Sequence, residues 1–235
     1  MKTHFSVQVN GLQVEAEFDD RDRDQIYLPL LRRLSELRRE KGRRIAAFLA
    51  APPAAGKSTL CRYLEELSRS DPSLTPVQVA GIDGFHYPQA YLDSHGLASI
   101  KGAPETYDVE KLKRLLARLD EPGQRWPVYD RRIHNPIDSA MEITEPIVII
   151  EGNWLLLDEA PWNELTCDYS VFLRAGDRSQ LERIVRRKVQ GGYPEAEARV
   201  FVENNDWPNI RRCMEHSRAA DLNLAQAPNG TWEVV

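Results

Sequence analysis

The feature that most constrains the fold is an apolar run followed directly by a glycine-lysine-serine loop. Residues 45–50 have the pattern of a buried strand, residues 51–58 read APPAAGKS, and a helical pattern begins near Lys57. From its Gly-Lys-Ser end the loop matches the Walker A spacing, in the strand, loop, helix order that this motif requires. That order favours a phosphate-binding loop over a chance match at an ordinary helix start.

Each residue type in this loop suits a bound phosphate. Backbone N–H groups at a helix N-terminus converge on an anion, the Lys57 ammonium can bridge β- and γ-phosphate oxygens, and the Ser58 hydroxyl can bind Mg²⁺. The predicted nucleotide-binding residues are Ala54, Ala55, Gly56, Lys57, Ser58 and Thr59. The loop departs from the motif at Ala51, where glycine is expected, and at Pro52 and Pro53, which have no N–H to donate.

Length and composition predict one soluble globular unit. At 235 residues we expect an N-terminal hairpin and helix (1–44) appended to a P-loop domain (45–235). A net charge of -5 argues against a nucleic-acid-binding surface. Three scattered cysteines fit a reducing, cytoplasmic setting, and no run approaches the roughly 20 apolar residues of a membrane span.

Strands and helices alternate along the chain. Further strands are predicted at 77–82, 126–129, 146–150 and 169–173, and helices at 25–41, 109–119, 177–190 and from about 194. This alternation predicts an α/β, three-layer P-loop NTPase fold with a mostly parallel central sheet. Residues 5–9 and 12–18 alternate around Asn10-Gly11 and predict a β-hairpin, which could extend the sheet or form a dimer contact.

Two carboxylates follow apolar strands. Asp83 comes after residues 77–82 and Glu151 after residues 146–150, so both are expected at the carboxyl edge of the sheet, beside the phosphate loop. A carboxylate at the Asp83 position can accept the proton of a substrate hydroxyl or orient that hydroxyl toward the γ-phosphorus. The alternative for Asp83 is a turn residue preceding Gly84.

Five segments in order, GKSTL, IDGFHYP, KGAPETYDVEKL, PVYDRRIHNP and IIEGN, resemble the phosphoribulokinase, uridine kinase and pantothenate kinase family of P-loop kinases. The resemblance covers roughly residues 45–224 and is nearest to a bacterial nucleoside or nucleotide kinase-like branch of unassigned substrate. It implies an ATP- and Mg²⁺-dependent kinase that phosphorylates a hydroxyl of a sugar, nucleoside or pantothenate-like compound.

The resemblance also implies roles for particular residues. Asp83 would be the catalytic base, Lys57 and Arg187 would act on the transferred phosphate, and Ser58 and Glu151 would bind the metal. Arg187 corresponds to the arginine of a helical lid that closes over the nucleotide. Arg183, Arg186 and Arg187 are spaced to share one face of that helix, before the break at Gly191-Gly192.

The expected acceptor side differs from the best-known members of the family. Its candidate residues are Asp83, His86, Lys101, Tyr129, Arg131 and His134. Arg131 stands where uridine kinases stack the base on an aromatic residue, and Gly102 where they bind ribose with an aspartate. Arg131 and Lys101 suit an acceptor that carries a carboxylate or phosphate, or is rich in hydroxyls, although Arg131 could also be a surface arginine.

Other P-loop functions remain as alternatives. One is a nucleotide-hydrolysing switch or metallochaperone-type NTPase acting on a protein partner, and another is a module that binds nucleotide without chemistry. The sequence lacks the Asn-Lys-x-Asp motif by which GTPase switches recognise guanine. It also lacks the Leu-Ser-Gly-Gly-Gln signature of transport ATPases. Both absences argue against these two classes of P-loop protein. The favoured partner is therefore a small hydroxyl-bearing molecule, without nucleic acid or membrane, in a monomer or homodimer.

Overall fold

The computed structural model describes residues 1–9, 12–175, 178–227 and 229–235. The strands within these ranges are β1 (Lys2–Val9), β2 (Leu12–Asp19), β3 (Ile45–Ala50), β4 (Val77–Gly81), β5 (Arg125–Asp130), β6 (Asn135–Glu142), β7 (Ile147–Gly152), β8 (Tyr169–Arg174), β9 (Leu222–Gln226) and β10 (Trp232–Val234). The α-helices are α1 (Asp20–Asp22), α2 (Leu28–Lys41), α3 (Lys57–Ser70), α4 (Gln89–Ser94), α5 (Val109–Ala117), α6 (Arg178–Gln190), α7 (Glu195–Phe201) and α8 (Trp207–His216).

The central sheet has the strand order β10-β9-β8-β3-β7-β4 in the described part of the chain. β4, β7, β3, β8 and β9 run parallel, and only β10 pairs antiparallel, with β9 at the edge. In a parallel sheet all the carboxyl ends lie on one edge, so the segments after β3, β4 and β7 meet there. The predicted α/β P-loop fold with a mostly parallel sheet is confirmed.

β3 explains why its sequence is apolar throughout. Alternate side chains point to opposite faces of a strand. Ile45, Ala47 and Leu49 join the core cluster on one face of the sheet, with residues of α2 and α3. The intervening residues, such as Phe48, join the cluster on the other face, where Leu112 of α5 and Cys213 of α8 pack. The strand is therefore the middle of three layers.

The N-terminal hairpin packs on α3 and does not join the central sheet. β1 and β2 form a separate two-stranded antiparallel sheet, so the predicted alternative of a sheet extension is wrong. The ring of Phe18 stacks on that of Tyr63 at 3.9 Å, and Phe5 meets Tyr63 edge-on. These aromatic contacts bury the apolar face of the hairpin against α3. The predicted Asn10-Gly11 turn lies outside the described residues.

A second small sheet lies outside the central one. The run predicted at residues 126–129 is part of β5, which pairs antiparallel with β6. β6 was not predicted as a strand, because its sequence, NPIDSAME, contains a proline and most of its side chains are exposed. This β5–β6 ribbon reaches the edge of the sheet beside β4.

Helix boundaries agree with the sequence in most places. The Asp108 side chain accepts a hydrogen bond from the Lys111 N–H and so caps the N-terminus of α5. A π-helical turn, Val202–Asp206, carries the chain from α7 directly into α8. Residue 177, predicted as the first of the lid helix, lies outside the described residues. No helix within the described ranges is long and apolar enough to cross a membrane.

Candidate active site

The phosphate loop joins the end of β3 to α3. Gly56 has φ +88°, a left-handed conformation that glycine adopts at little cost. Ala54 is also left-handed at φ +60°, which costs a side-chain-bearing residue about 1–2 kcal/mol. The lid helix α6 supports this strained segment, since Arg183 Nε donates to the Ala54 carbonyl at 3.1 Å and Gln180 Nε2 to the Pro53 carbonyl at 3.0 Å.

The amide donors of the loop lie at the start of α3. The Ala51 and Ala55 N–H groups donate to the carbonyls of Gly152 and Pro52, each at 3.3 Å. Ala55 therefore uses its N–H inside the loop, unlike the sequence-based expectation that it faces phosphate. The first N–H groups of a helix have no intrahelical acceptor, so those of Lys57, Ser58 and Thr59 are the donors available to an anion, whereas the Leu60 N–H already donates to the Gly56 carbonyl.

Lys57, Ser58 and Glu151 form one partly buried cluster behind the loop. The Ser58 hydroxyl donates to Glu151 Oε1 at 2.8 Å, and Lys57 Nζ lies 3.9 Å from Glu151 Oε2. The parallel register pairs Leu49 with Glu151, which brings β7 to the base of the loop. Burial raises the pKa of the Glu151 carboxyl, and the Lys57 charge and the Ser58 hydrogen bond offset only part of that rise.

A divalent cation fits this cluster. Glu151 Oε2 is buried and lacks a hydrogen-bond partner, and carboxylate and hydroxyl oxygens are ligands that Mg²⁺ prefers. Among the described residues no three His, Cys, Asp or Glu side chains are grouped to hold a metal by themselves. Mg²⁺ in nucleotide enzymes is typically held by one or two side chains together with substrate phosphates and water, which matches this donor set.

We expect the Glu151 carboxyl to make the free energy of unfolding depend on pH. Because its pKa is raised in the folded protein above about 4.5, its ionisation lowers the free energy of unfolding as pH rises from about 4.5 through the folded pKa. Glu151→Gln does not titrate there, so the variant should gain stability relative to the unmutated protein across that window and then level off. Urea unfolding of both proteins from pH 4 to 8 measures this difference.

Glu121→Gln serves as a control of opposite sign. A hydrogen bond from Arg118 lowers the pKa of the exposed Glu121, so its small stabilisation is present above about pH 4.5 and is lost as pH falls through the lowered pKa. The measured quantity is the free energy of unfolding of Glu151→Gln minus that of the unmutated protein. If this difference stays constant or falls as pH rises, the Glu151 carboxylate does not destabilise the folded protein.

Asp83 lies where the sequence predicted, in a cavity of about 100 Å³ next to the phosphate loop. It is the second residue of the short 3₁₀ turn, Ile82–Phe85, that follows β4. Ser58, Glu151 and Tyr129 line the same cavity, and Arg131 Nη2 lies 3.4 Å from Asp83 Oδ2. Residues from four separate segments therefore meet at the carboxyl edge of the sheet. Arg131 is half-exposed but directed at the site.

Gly84 is what allows the β5–β6 ribbon to approach Asp83. A Cβ atom at this position would lie 2.2 Å from the Pro127 carbonyl oxygen, which is backbone and has no freedom to move away. The Asp-Gly pair is therefore not merely a turn signal, since the glycine makes room for β5, which carries Tyr129 and leads into the turn with Arg131.

Gly84→Ala should accordingly lower stability. Overpacking against backbone costs about 1–3 kcal/mol, which lowers Tm of a chain of this size by roughly 2–12 °C. Gly81→Ala is the matched control, because its added Cβ would lie at an ordinary 3.6 Å from Glu151 Oε1. Differential scanning calorimetry of both variants tests this, and equal Tm values for the two would contradict the close approach.

The remaining predicted acceptor residues occupy less direct positions. The His86 ring packs on Tyr107 at 3.8 Å, its Nδ1 hydrogen-bonds with the Asp83 carbonyl at 2.9 Å, and burial lowers its pKa. Lys101 Nζ donates to Gln89 Oε1 and to the His134 carbonyl, at 2.8 and 3.1 Å, and lies over the Tyr129 ring. His134 is exposed, and its contact with Lys101 is made by its backbone carbonyl and not by its ring.

The predicted lid arginines have three different environments. Arg183 contacts the phosphate loop, as described above, and Arg186 is exposed. Arg187 is also exposed but lies near the charges of Arg131 and Asp83, and its pKa is lowered by desolvation and further by the positive charge of Arg131. Two arginines that face one cleft repel each other unless an anion lies between them. α6 to α8 share a small apolar core of Ile184, Val185, Ala198, Val202 and Ile210.

Sequence reasoning missed Arg62 and assigned no role to Asp206. Arg62 lines the Asp83 cavity, one helical turn after Ser58, so the i, i+4 spacing from the loop could have identified it. Asp206 pairs with Lys188 at 3.5 Å, its other neighbour is Arg187, and burial raises its pKa. The sequence could not assign a role to Asp206, because the π-helical turn that directs it toward α6 was not predicted.

The chain is similar to several known proteins. The uncharacterized protein YggC of Escherichia coli K12 is 41% identical over 97% of this chain and 98% of its own. A pantothenate kinase of Enterococcus faecalis is 30% identical over 71% of this chain and 62% of its own. A crystal structure from Silicibacter sp. described as a "putative fructose transport system kinase" is 31% identical, has a TM-score of 0.72, and covers 81% of this chain and 98% of its own.

These similarities establish the class of the protein. No protein-family model matches the chain. The chain nevertheless belongs to the P-loop kinases of the uridine kinase, pantothenate kinase and phosphoribulokinase family, which are phosphotransferases. The family resemblance predicted from the five sequence segments is therefore confirmed.

Proposed function

We propose that this protein uses ATP to phosphorylate a hydroxyl group of a small molecule, a sugar, nucleoside or pantothenate-like compound. The observation that carries the proposal is the cavity beside the phosphate loop, where the Asp83 carboxylate faces the same space as Ser58 and Glu151. A hydroxyl bound there lies between a proton acceptor and the end of the phosphate loop, which is the arrangement that in-line phosphoryl transfer requires.

Each residue has a distinct task in this proposal. Asp83 orients the acceptor hydroxyl and takes its proton, which contributes typically about 10²–10⁴-fold to such a reaction. Lys57 and Arg187 supply positive charge where negative charge develops on the transferred phosphoryl oxygens. Ser58 and Glu151 would hold Mg²⁺, which neutralises charge on the nucleotide phosphates when it is bound.

The charge of the cavity indicates the kind of acceptor. Arg131 and Arg62 flank Asp83 from the β5–β6 turn and from α3, and Arg187 approaches from the lid. Guanidinium groups bind carboxylates, phosphates and multiple hydroxyls well. We therefore favour an acceptor with a carboxylate or phosphate beside its reactive hydroxyl, or one that carries several hydroxyls.

A coupled assay of ADP release tests the proposal. Mg-ATP is supplied with single members of a panel of sugars, nucleosides, hydroxy acids and vitamins, and products are examined by mass spectrometry for a gain of one phosphoryl group. We expect at least one panel member to stimulate ADP release and to appear phosphorylated. Slow hydrolysis that no panel member changes, but that a protein partner stimulates, would instead support the nucleotide-hydrolysing switch.

A further inference from the structure

A second cavity lies on the other flank of the phosphate loop. Its volume is about 220 Å³, and its lining shares no residue with that of the Asp83 cavity. Ser58 lines the Asp83 cavity, whereas its neighbour Thr59 lines the second one, together with the loop residues Ala54, Ala55 and Gly56. A nucleotide whose phosphates lie along the loop therefore has one cavity at each end.

The N-terminal hairpin forms one wall of this second cavity. Val14, Ala16 and Phe18 lie on the same face of β2, because alternate residues of a strand share a face, and all three line the cavity. The opposite wall comes from the antiparallel pair of β9 and β10 at the C-terminal end of the chain, through Gln226 and Trp232. The cavity therefore exists only where both ends of the chain meet the phosphate loop.

A buried hydrogen bond joins these two walls. The Asp22 carboxylate is 3% exposed and accepts from the Trp232 N–H at 2.9 Å. Phe18 is held from behind by its stacking on Tyr63 of α3. The hairpin is thus fixed in position by packing and by a buried polar contact, which gives the cavity a defined shape.

We infer that the N-terminal hairpin is part of the nucleotide-binding site and encloses the base and ribose of the bound nucleotide. This inference rests on the proposed function, in which Asp83 places the acceptor in the other cavity and leaves this one for the nucleoside. Apolar walls from Ala16, Phe18 and Tyr27 suit the flat faces of a base. The Gln226 side chain also lines the cavity, and its amide suits the amine and ring-nitrogen edge of a base or the ribose hydroxyls.

Filling the cavity from the hairpin side tests the inference. Ala16→Phe places a ring into the space, whereas Glu15→Phe, the matched control, places the same ring on the exposed opposite face of β2. Calorimetric titration measures the Kd of ATP and the Kd of inorganic tripolyphosphate, which has the phosphates but no nucleoside. We expect Ala16→Phe to weaken ATP binding roughly tenfold or more and to leave tripolyphosphate binding unchanged. Glu15→Phe should change neither.

The outcomes separate this inference from the kinase assignment. ATP binding by Ala16→Phe equal to that of the unmutated protein, or weakened equally by Glu15→Phe, would overturn the role of the hairpin while leaving the kinase intact. Failure of the unmutated protein to bind ATP would instead remove the proposed function. If Ala16→Phe does not fold, photolabelling of the unmutated protein with 8-azido-ATP decides: we expect label on the tryptic peptide of residues 3–21, and a labelled protein without label there overturns the inference.

Discussion

Asp83→Asn should reduce the turnover number of phosphoryl transfer by roughly 10²–10⁴-fold, because the amide cannot accept the hydroxyl proton. The substitution preserves the size of the side chain, and its amide oxygen can still accept from Arg131, which lies 3.4 Å from the carboxylate. Nucleotide binding should therefore remain, since the phosphate loop is untouched. Steady-state kinetics with the identified acceptor, together with titration of ATP, measures both quantities.

Asp138→Asn is the matched control for this experiment. Asp138 lies on the same β5–β6 ribbon, but its side chain is 72% exposed and pairs with Lys111 away from the cavity. The control should retain full turnover. An Asp83→Asn enzyme with unchanged turnover would remove the proton-accepting role of Asp83 and, with it, the main support for the acceptor cavity.

Lys57→Ala should reduce turnover by roughly 10²–10³-fold, the usual loss when one group that stabilises transition-state charge is removed. Lys57 also faces the buried Glu151 at 3.9 Å, so its removal leaves that carboxylate without the positive charge that lowers its pKa. The KM for ATP should rise as well, because the ammonium is expected to contact the ground-state phosphates. Initial-rate kinetics over a range of ATP concentrations separates the two effects.

Lys113→Ala provides the comparison for Lys57→Ala. Lys113 is a half-exposed lysine of α5 whose partner is Glu164, and it lies outside both cavities. This variant should behave as the unmutated protein. If Lys57→Ala lost no more activity than Lys113→Ala, the loop would not act on the transferred phosphate, and a role limited to structure would have to be considered for the entire Gly-Lys-Ser segment.

The phosphate loop, the central strands and both edge carboxylates could be predicted from the sequence because their signals are local. The apolar run of β3, the adjoining Gly-Lys-Ser and the start of α3 are contiguous, so the chain order alone specifies a strand, loop and helix. Asp83 follows the apolar run of residues 77–82, and Glu151 follows the apolar run of residues 146–150. In a parallel sheet, strand direction alone places such residues at one edge.

Tertiary structure decided everything that depends on the approach of distant segments. Gly84 permits β5 to approach Asp83, and the π-helical turn Val202–Asp206 turns Asp206 toward the lid. The hairpin lines the second cavity only because its aromatic face packs on α3 and Asp22 binds the backbone of β10. Local propensity carries no information about such long-range packing, because the same alternating pattern of β2 would serve equally well in an added strand, a dimer contact or a cavity wall.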